Sequence, residues 1–296
     1  MGLTENQNEI LFIIYASISA LSLAGSIFIC IVYLSFKDLQ IFQFKLVTYL
    51  ALVDAGTSLS FFLPSYLDDI ICQAQAFLIS FFTLSGVLWT SAIAHALYKS
   101  AIREYKDISI YHKPYILYAC GLALLASIAP FITESYGNAD SWCWVRTDKD
   151  RAQETILRLL IYYIPLWLVI PFNLIVYLKV IVKINREISN INEEEFTRRQ
   201  LIRKLLLYPL ILIICQTPVT INRIHDYFDD DPEFALVLIS GVGICINGLL
   251  NAIIYGCTES VKLAVASWWR GNGKTRSTRV SFLSDESNKM DELNTF

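Results

Sequence analysis

Seven apolar stretches, near residues 10–36, 46–67, 72–98, 115–133, 156–181, 205–228 and 234–256, take up most of this 296-residue sequence. A helix needs about 20 apolar residues to cross the hydrocarbon of a bilayer, so each stretch is long enough to span it. The hydrophobic share of 55% is above the usual range for soluble domains. Spanning strands would show shorter segments that alternate apolar and polar residues. The expected fold is an all-α membrane protein, a seven-transmembrane helix bundle over 10–256, with residues 1–9 as a short extracellular N-terminus.

Orientation follows from the basic residues, which stay on the cytoplasmic side near span ends. Of 24 Lys and Arg, 19 fall on alternate connections and in the tail, and only Arg146, Lys149, Arg151, Arg158 and Arg223 fall on the other side. The N-terminus is therefore expected outside and the C-terminus inside, with the plasma membrane as the location. Counting acids as well, the outer side is net −9 and the inner side net +7. The inner charge suits anionic lipid headgroups. The acidic rim, dense at Asp68, Asp69 and Asp229–Asp231, is a solvated edge that also favours cations over anions. Without a basic n-region or small-residue cleavage site, the first span itself is expected to act as the insertion signal.

Cysteines sort by depth. Cys30, Cys120, Cys215 and Cys245 lie within spans and Cys257 just beyond the seventh, where it is either unmodified or palmitoylated. Cys72 and Cys143 alone face the oxidising side, so a disulfide between them is expected. Beyond Cys257, residues 257–270 read as a short amphipathic eighth helix on the membrane surface, with Trp268 and Trp269 at the interface. Residues 271–296 are polar, and a disordered cytoplasmic tail is expected there. Thr275, Ser277, Thr278, Ser281, Ser284 and Ser287 there are either solvated or sites for a kinase, with a protein such as an arrestin reading the added charge.

Polar side chains inside a membrane are costly, so each one raises a functional question. Asp54 sits mid-span, and Asn247 and Asn251, four residues apart on the seventh span, are placed to meet it. Two readings stay open: a polar core holding water or a small cation, and a hydrogen-bond network that only packs helices. At the outer end of the sixth span, Asn222, Arg223 and His225 form a polar cluster, with Arg158 as a third cation and Trp144 in the outer loop. These are candidate ligand contacts, the alternative being that Arg223 pairs with Asp226 or Glu233. Prolines 130, 165, 171, 209 and 218 interrupt spans four, five and six and invite kinks.

Five blocks carry a family likeness: FQFKLVTYLALVD (42–54), GVLWT (86–90), SWCW (141–144), LYPLILIICQTPVTINRIHDYF (207–228) and GLLNAIIYG (248–256). They resemble the seven-helix receptors that comprise the slime-mould cyclic AMP receptors and their plant and protist relatives, with the plant-type branch nearest. The resemblance implies a G-protein-coupled receptor that passes an extracellular signal to a heterotrimeric G protein. Arg103, Arg198, Arg199, Arg203 and Lys204 on the inner connections are the candidate G-protein contacts. Cyclic AMP is the ligand the likeness suggests, and the acidic rim stands against it. The inner end of the third span reads AHALYKSAIREY and lacks the acidic-Arg-Tyr triplet of rhodopsin-like receptors.

Other classes fit less well. A retinal protein needs a lysine in the seventh span, and 234–256 holds none. The alternative of a seven-helix transporter predicts a likeness between spans 1–3 and 5–7 that the sequence lacks. No Ser/His, paired-Asp or metal constellation lies at matching depth, so an enzyme, a metal site, a cofactor and a nucleic-acid partner are not expected.

Overall fold

The computed structural model of the chain describes residues 3–64, 68–103, 105, 107–139, 141–146, 152–186, 207–228 and 232–269. Helix α1 is Glu5–Ser35, α2 is Phe42–Ser60 and α3 is Asp69–Ala101. Helix α4 runs Ser109–Ile132 through a π-helical turn at Leu117–Gly121. Helix α5 joins Ala152–Arg158, a second π turn at Leu159–Tyr163 and Ile164–Arg186. Then come α6 (Tyr208–Phe228), α7 (Phe234–Gly256) and α8 (Glu259–Trp269). The chain is an all-α membrane protein. Five described helices, α1, α3, α4, α5 and α7, are long and apolar enough to cross a bilayer. Helices α2 and α6, of 19 and 21 residues, are less apolar because they carry Lys45 and Asp54, and Asn222, Arg223, His225 and Asp226.

Helix ends follow local chemistry more than the apolar runs. Helix α1 starts at Glu5, earlier than the run, because Thr4 and Gln7 form a reciprocal capping box. Helix α2 stops at Ser60, not at 67, since Pro64 cannot donate to the ladder and pushes the residue before it out of helical geometry. Asp68 then caps α3 by accepting from the Ile70 amide at 3.3 Å. The π turn in α5 ends just before Pro165, whose missing N–H leaves the normal i−4 bond to Ile161 unmade.

The helices close into a ring: α1 packs on α2 and α7, α2 on α3, α3 on α4 and α5, α5 on α6, and α6 on α7. Helix α3 is the axle. Its apolar window is 72% buried, against 28% for α1 and for α4, whose outer faces are left exposed. The core runs through Tyr15, Phe44, Trp89, Leu166 and Tyr255.

One element escaped the sequence reading. Between α4 and α5, strands β1 (Tyr136–Ala139) and β2 (Trp142–Val145) form an antiparallel hairpin with Tyr136 opposite Val145 and Ala139 opposite Trp142. Helix α4 hands the chain over through Glu134, at φ +52°, and the Ser135 amide bonds back to the Pro130 carbonyl at 2.9 Å. All four β2 residues are buried, so the hairpin is sunk between helices.

Candidate functional site: the bundle mouth and the polar core beneath it

The hairpin is fastened on four sides. Cys72 at the start of α3 is disulfide-bonded to Cys143 in β2, with their Cα atoms 5.3 Å apart, as expected from the topology. One turn along α3, Gln75 accepts the Cys143 amide at 2.8 Å and donates to the Ser60 and Leu63 carbonyls, each at 3.1 Å. Trp142 meets Tyr15 of α1 and Phe61 edge-on, with ring centroids 5.9 and 6.3 Å apart. Tyr15 in turn donates its hydroxyl to the Val237 carbonyl of α7 at 2.8 Å.

The fourth fastening comes from α6. Arg223 pairs with Asp226 at 2.8 Å, and both side chains are nearly excluded from solvent. The guanidinium also lies over the rings of Trp142 and Trp144, 5.3 and 5.9 Å from their centroids, and donates to the Ala139 carbonyl at 3.4 Å. Of the two open readings of Arg223, the geometry therefore contains the i,i+3 pair. Asn222 is buried and donates to the same Asp226 carboxylate at 3.4 Å. Arg158 is buried, donates to the Glu154 carbonyl at 3.4 Å, and lies within electrostatic reach of Arg223 and Asp226. His225 is half-buried, and its ring Nδ1 has no hydrogen-bond partner among the described residues. The mouth thus gathers Arg158, Asn222, Arg223 and Trp144, with His225 at its margin.

Replacing Arg223 by Gln leaves Asp226 as a buried carboxylate without its cation, a change that costs about 3–5 kcal/mol in a fully buried pair. Near the watery mouth we expect about 1–3 kcal/mol, read as a lower unfolding temperature, with the further change Asp226→Asn restoring most of it. A double variant no more stable than Arg223→Gln alone would show that the pair is not what holds this end.

From the mouth a connected path leads inward. Trp144 packs edge-on against Tyr162 and Tyr163 of α5, at 5.9 and 6.2 Å. Tyr162 donates to the Gln216 side chain of α6 at 2.9 Å. Gln216 lines a cavity of about 20 Å³ together with Ser22, Asp54, Thr57, Thr83 and Asn247, room for about one water. At its floor Asp54 accepts hydrogen bonds from Asn247 at 3.1 Å and Asn251 at 2.7 Å. The three intramembrane residues singled out from the sequence stand together. Gly248 permits this: a Cβ there would meet Ser22 Oγ at 2.5 Å and Asp54 Cβ at 2.9 Å.

At the opposite end, basic side chains of α3 are held by aromatic rings. His95 Nδ1 is 2.7 Å from the Tyr115 hydroxyl, and Lys99 lies over Tyr105 and Tyr111 at 4.8 and 5.6 Å. Tyr49 of α2 stacks on Trp89 and bonds His112 at 2.7 Å. Beside them, in the connection to α4, the Ser109 hydroxyl and amide hold the Asp107 carboxyl below the usual carboxylate range. Arg103 is exposed at the end of α3. Arg198, Arg199, Arg203 and Lys204 lie outside the described residues, as does the tail beyond Trp269.

Comparison with known proteins settles the family. The model of the slime mold cyclic AMP receptor family matches residues 2–256. The chain belongs to the slime mold cyclic AMP receptor family. It is 32% identical to G-protein coupled receptor 1 of Arabidopsis thaliana over 278 residues, 89% of this chain and 83% of that protein. Cyclic AMP receptor-like protein A of Dictyostelium discoideum is 29% identical over 249 residues, and the match spans 83% of this chain and 64% of that longer protein. G-protein coupled receptor 157 of Mus musculus is 27% identical over 276 residues, 84% of this chain and 82% of that protein. The family is one of receptors, and these relatives place a G-protein-coupled receptor function on the chain in preference to transport.

Within this receptor, Gln75, Tyr162 and Gln216 were not singled out from the sequence. Gln75 and Gln216 are polar residues inside spans, so the rule that flagged Asp54 applies to them equally. Tyr162 carries no such mark, because a tyrosine in an apolar run reads as packing.

Proposed function

We propose that this receptor spans the membrane seven times with its N-terminus outside, that α8 lies on the inner membrane surface, and that the plasma membrane is its home. The asymmetry of 19 basic residues on one side against five on the other supports that topology. An extracellular ligand engages the mouth at Arg158, Asn222, Arg223, His225 and Trp144, and a heterotrimeric G protein engages the opposite face at Arg103, Arg198, Arg199, Arg203 and Lys204. The inner tail offers sites for a kinase or an arrestin-like partner.

The observation that carries this reading is the continuous line from Trp144 through Tyr162 and Gln216 to the cavity above Asp54. A ligand that moves Trp144 or competes for Arg223 disturbs bonds between α5, α6 and α7, and a bundle with two packings transmits such a change to its far end. Cyclic AMP suits the name of one relative. Its phosphate must displace Asp226 from Arg223 and approach a rim of net charge −9, which favours a cationic or neutral ligand instead.

Reconstitution with a panel of heterotrimeric G proteins, with nucleotide exchange as the readout, tests the reading. We expect a ligand drawn from cyclic nucleotides, amines or peptides to raise exchange. Reversing the inner charges through Arg103→Glu, Arg198→Glu and Arg199→Glu is expected to cut that stimulated rate about tenfold, about 1.4 kcal/mol of lost contact. Stimulation that survives the reversals intact would remove these residues from the coupling face, and silence with every G protein would remove the coupling itself.

A further inference from the structure

Beneath α8 the structure has a second concavity, unrelated to the mouth. It measures about 370 Å³ and lies between Phe28 in the last third of α1, the end of α7 and one face of α8. Its walls are Phe28, Gly256, Val261, Val265, Ala266 and Trp269, and one charged residue, Lys262, stands among them. We propose that this groove binds one anionic phospholipid of the adjoining leaflet, with an acyl chain against Phe28 and Gly256 and the phosphate at the Lys262 ammonium.

Shape supports an acyl chain. The volume falls within the roughly 300–1,000 Å³ of small-molecule sites, and the lining is apolar except at one point. Gly256 keeps the floor low: Phe28 Cε1 stands 3.5 Å from where a Cβ would be, so a larger residue would raise the floor into the chain's path. Val261 is buried and anchors α8, while Leu263, Trp268 and Trp269 are 64, 69 and 83% exposed. Two tryptophans this open to their surroundings fit the boundary between headgroups and acyl chains.

Charge selects the headgroup. Lys262 meets Glu259 at 3.3 Å, with about half of each side chain exposed. An exposed i,i+3 pair of this kind is worth less than about 1 kcal/mol, so a phosphate competes well for the ammonium. The side of the membrane that α8 shares carries 19 bases against 12 acids, which draws anionic lipid to this face. A peptide occupant finds no exposed strand edge here and only a single charge to pair with. Assigning the leaflet as the inner one rests on the topology proposed above; the groove itself does not.

The test uses the full receptor in phosphatidylcholine nanodiscs doped with phosphatidylserine whose acyl chains carry bromine, a quencher of tryptophan emission. Trp269 lines the groove and Trp268 does not. Subtracting the Trp269→Phe and Trp268→Phe variants isolates each signal. We expect saturable quenching of Trp269 that favours phosphatidylserine over brominated phosphatidylcholine about fivefold, what one lysine near an anionic surface supplies. Lys262→Gln should abolish the preference, and Ala266→Phe should abolish saturation. Lys262→Gln changes an exposed side chain and leaves folding intact. Equal quenching by both lipids, or a preference untouched by either substitution, overturns the proposal. So does an intact mass showing an acyl chain bound covalently at Cys257, together with saturable lipid quenching of Trp269 that appears only in Cys257→Ser. Because Trp269 reports only on the adjoining leaflet, the result is the same in either orientation, and a failed topology remains distinguishable from a failed site.

Discussion

Cys143→Ser is expected to lower the unfolding free energy by about 2–4 kcal/mol, seen as a fall in unfolding temperature on the order of 10 °C. The bridge joins residues 71 apart in sequence, so removing it frees a long loop in the unfolded chain. In the native state it also frees the strand that carries Trp142 and Trp144. Gln75 still accepts the residue-143 amide in the variant, so the hairpin is loosened but not expelled. Amide exchange should therefore quicken at 136–145 and stay unchanged in the buried middle of α3. Cys72→Ser should match Cys143→Ser, and the double variant should be no worse than either, because one bond is being removed in all three. Additive losses from the two serines would mean that each cysteine contributes by something other than the bridge. Since the hairpin holds Arg223 and meets Tyr162, ligand-stimulated exchange should fall further than stability alone explains.

Length and apolarity made the long helices legible, because a bilayer demands both and nothing else in a soluble fold does. Helix ends were less so. The apolar run after Ser60 continues to Leu67, yet the helix stops at a proline that an average over many residues does not register. The hairpin left no trace for a physical reason as well. Half-covered strands alternate apolar and polar residues, but Trp142 to Val145 are covered on both faces, and four residues are too few to tell from loop. The π turns in α4 and α5 are equally silent, since one extra residue in a turn leaves composition unchanged. Asp54, Asn247 and Asn251 were legible because a polar side chain in hydrocarbon must find a partner. Gln75 and Gln216 obey the same rule, but neither has a second amide side chain one turn away on its own helix, as Asn247 and Asn251 have. The choice between partners for Arg223 rests on side-chain geometry that helix extent alone does not fix: Asp226, one turn along the same face, stands 2.8 Å away.

The close contact of α6 and α7 supplies the second large effect. A Cβ at Gly243 would stand 2.5 Å from the Cys215 carbonyl oxygen and 3.4 Å from its carbon. Both are backbone atoms, which cannot swing aside, so Gly243→Ala must push the two helices apart. Overpacking of this kind costs about 1–3 kcal/mol, and alanine's better helix propensity returns no more than about 1 kcal/mol. Gly86→Ala is the matched control, because its nearest neighbour would be Val53 Cγ1 at an ordinary 3.7 Å. That variant should be neutral or slightly more stable. The consequence of moving α7 from α6 reaches the polar core. Gln216 follows Cys215 directly, Asn247 lies one turn beyond Gly243, and both line the cavity above Asp54. Separation at Gly243 widens that cavity and stretches the path that joins it to the mouth. We therefore expect Gly243→Ala to lower the unfolding temperature and shift basal nucleotide exchange severalfold, while Gly86→Ala, which lines the same cavity but parts no helices, keeps the wild-type unfolding temperature, in thermal unfolding and exchange assays run side by side. If the two alanines behave alike in both assays, backbone contact at Gly243 is not the determinant, and the coupling of α6 to α7 must lie in their side chains.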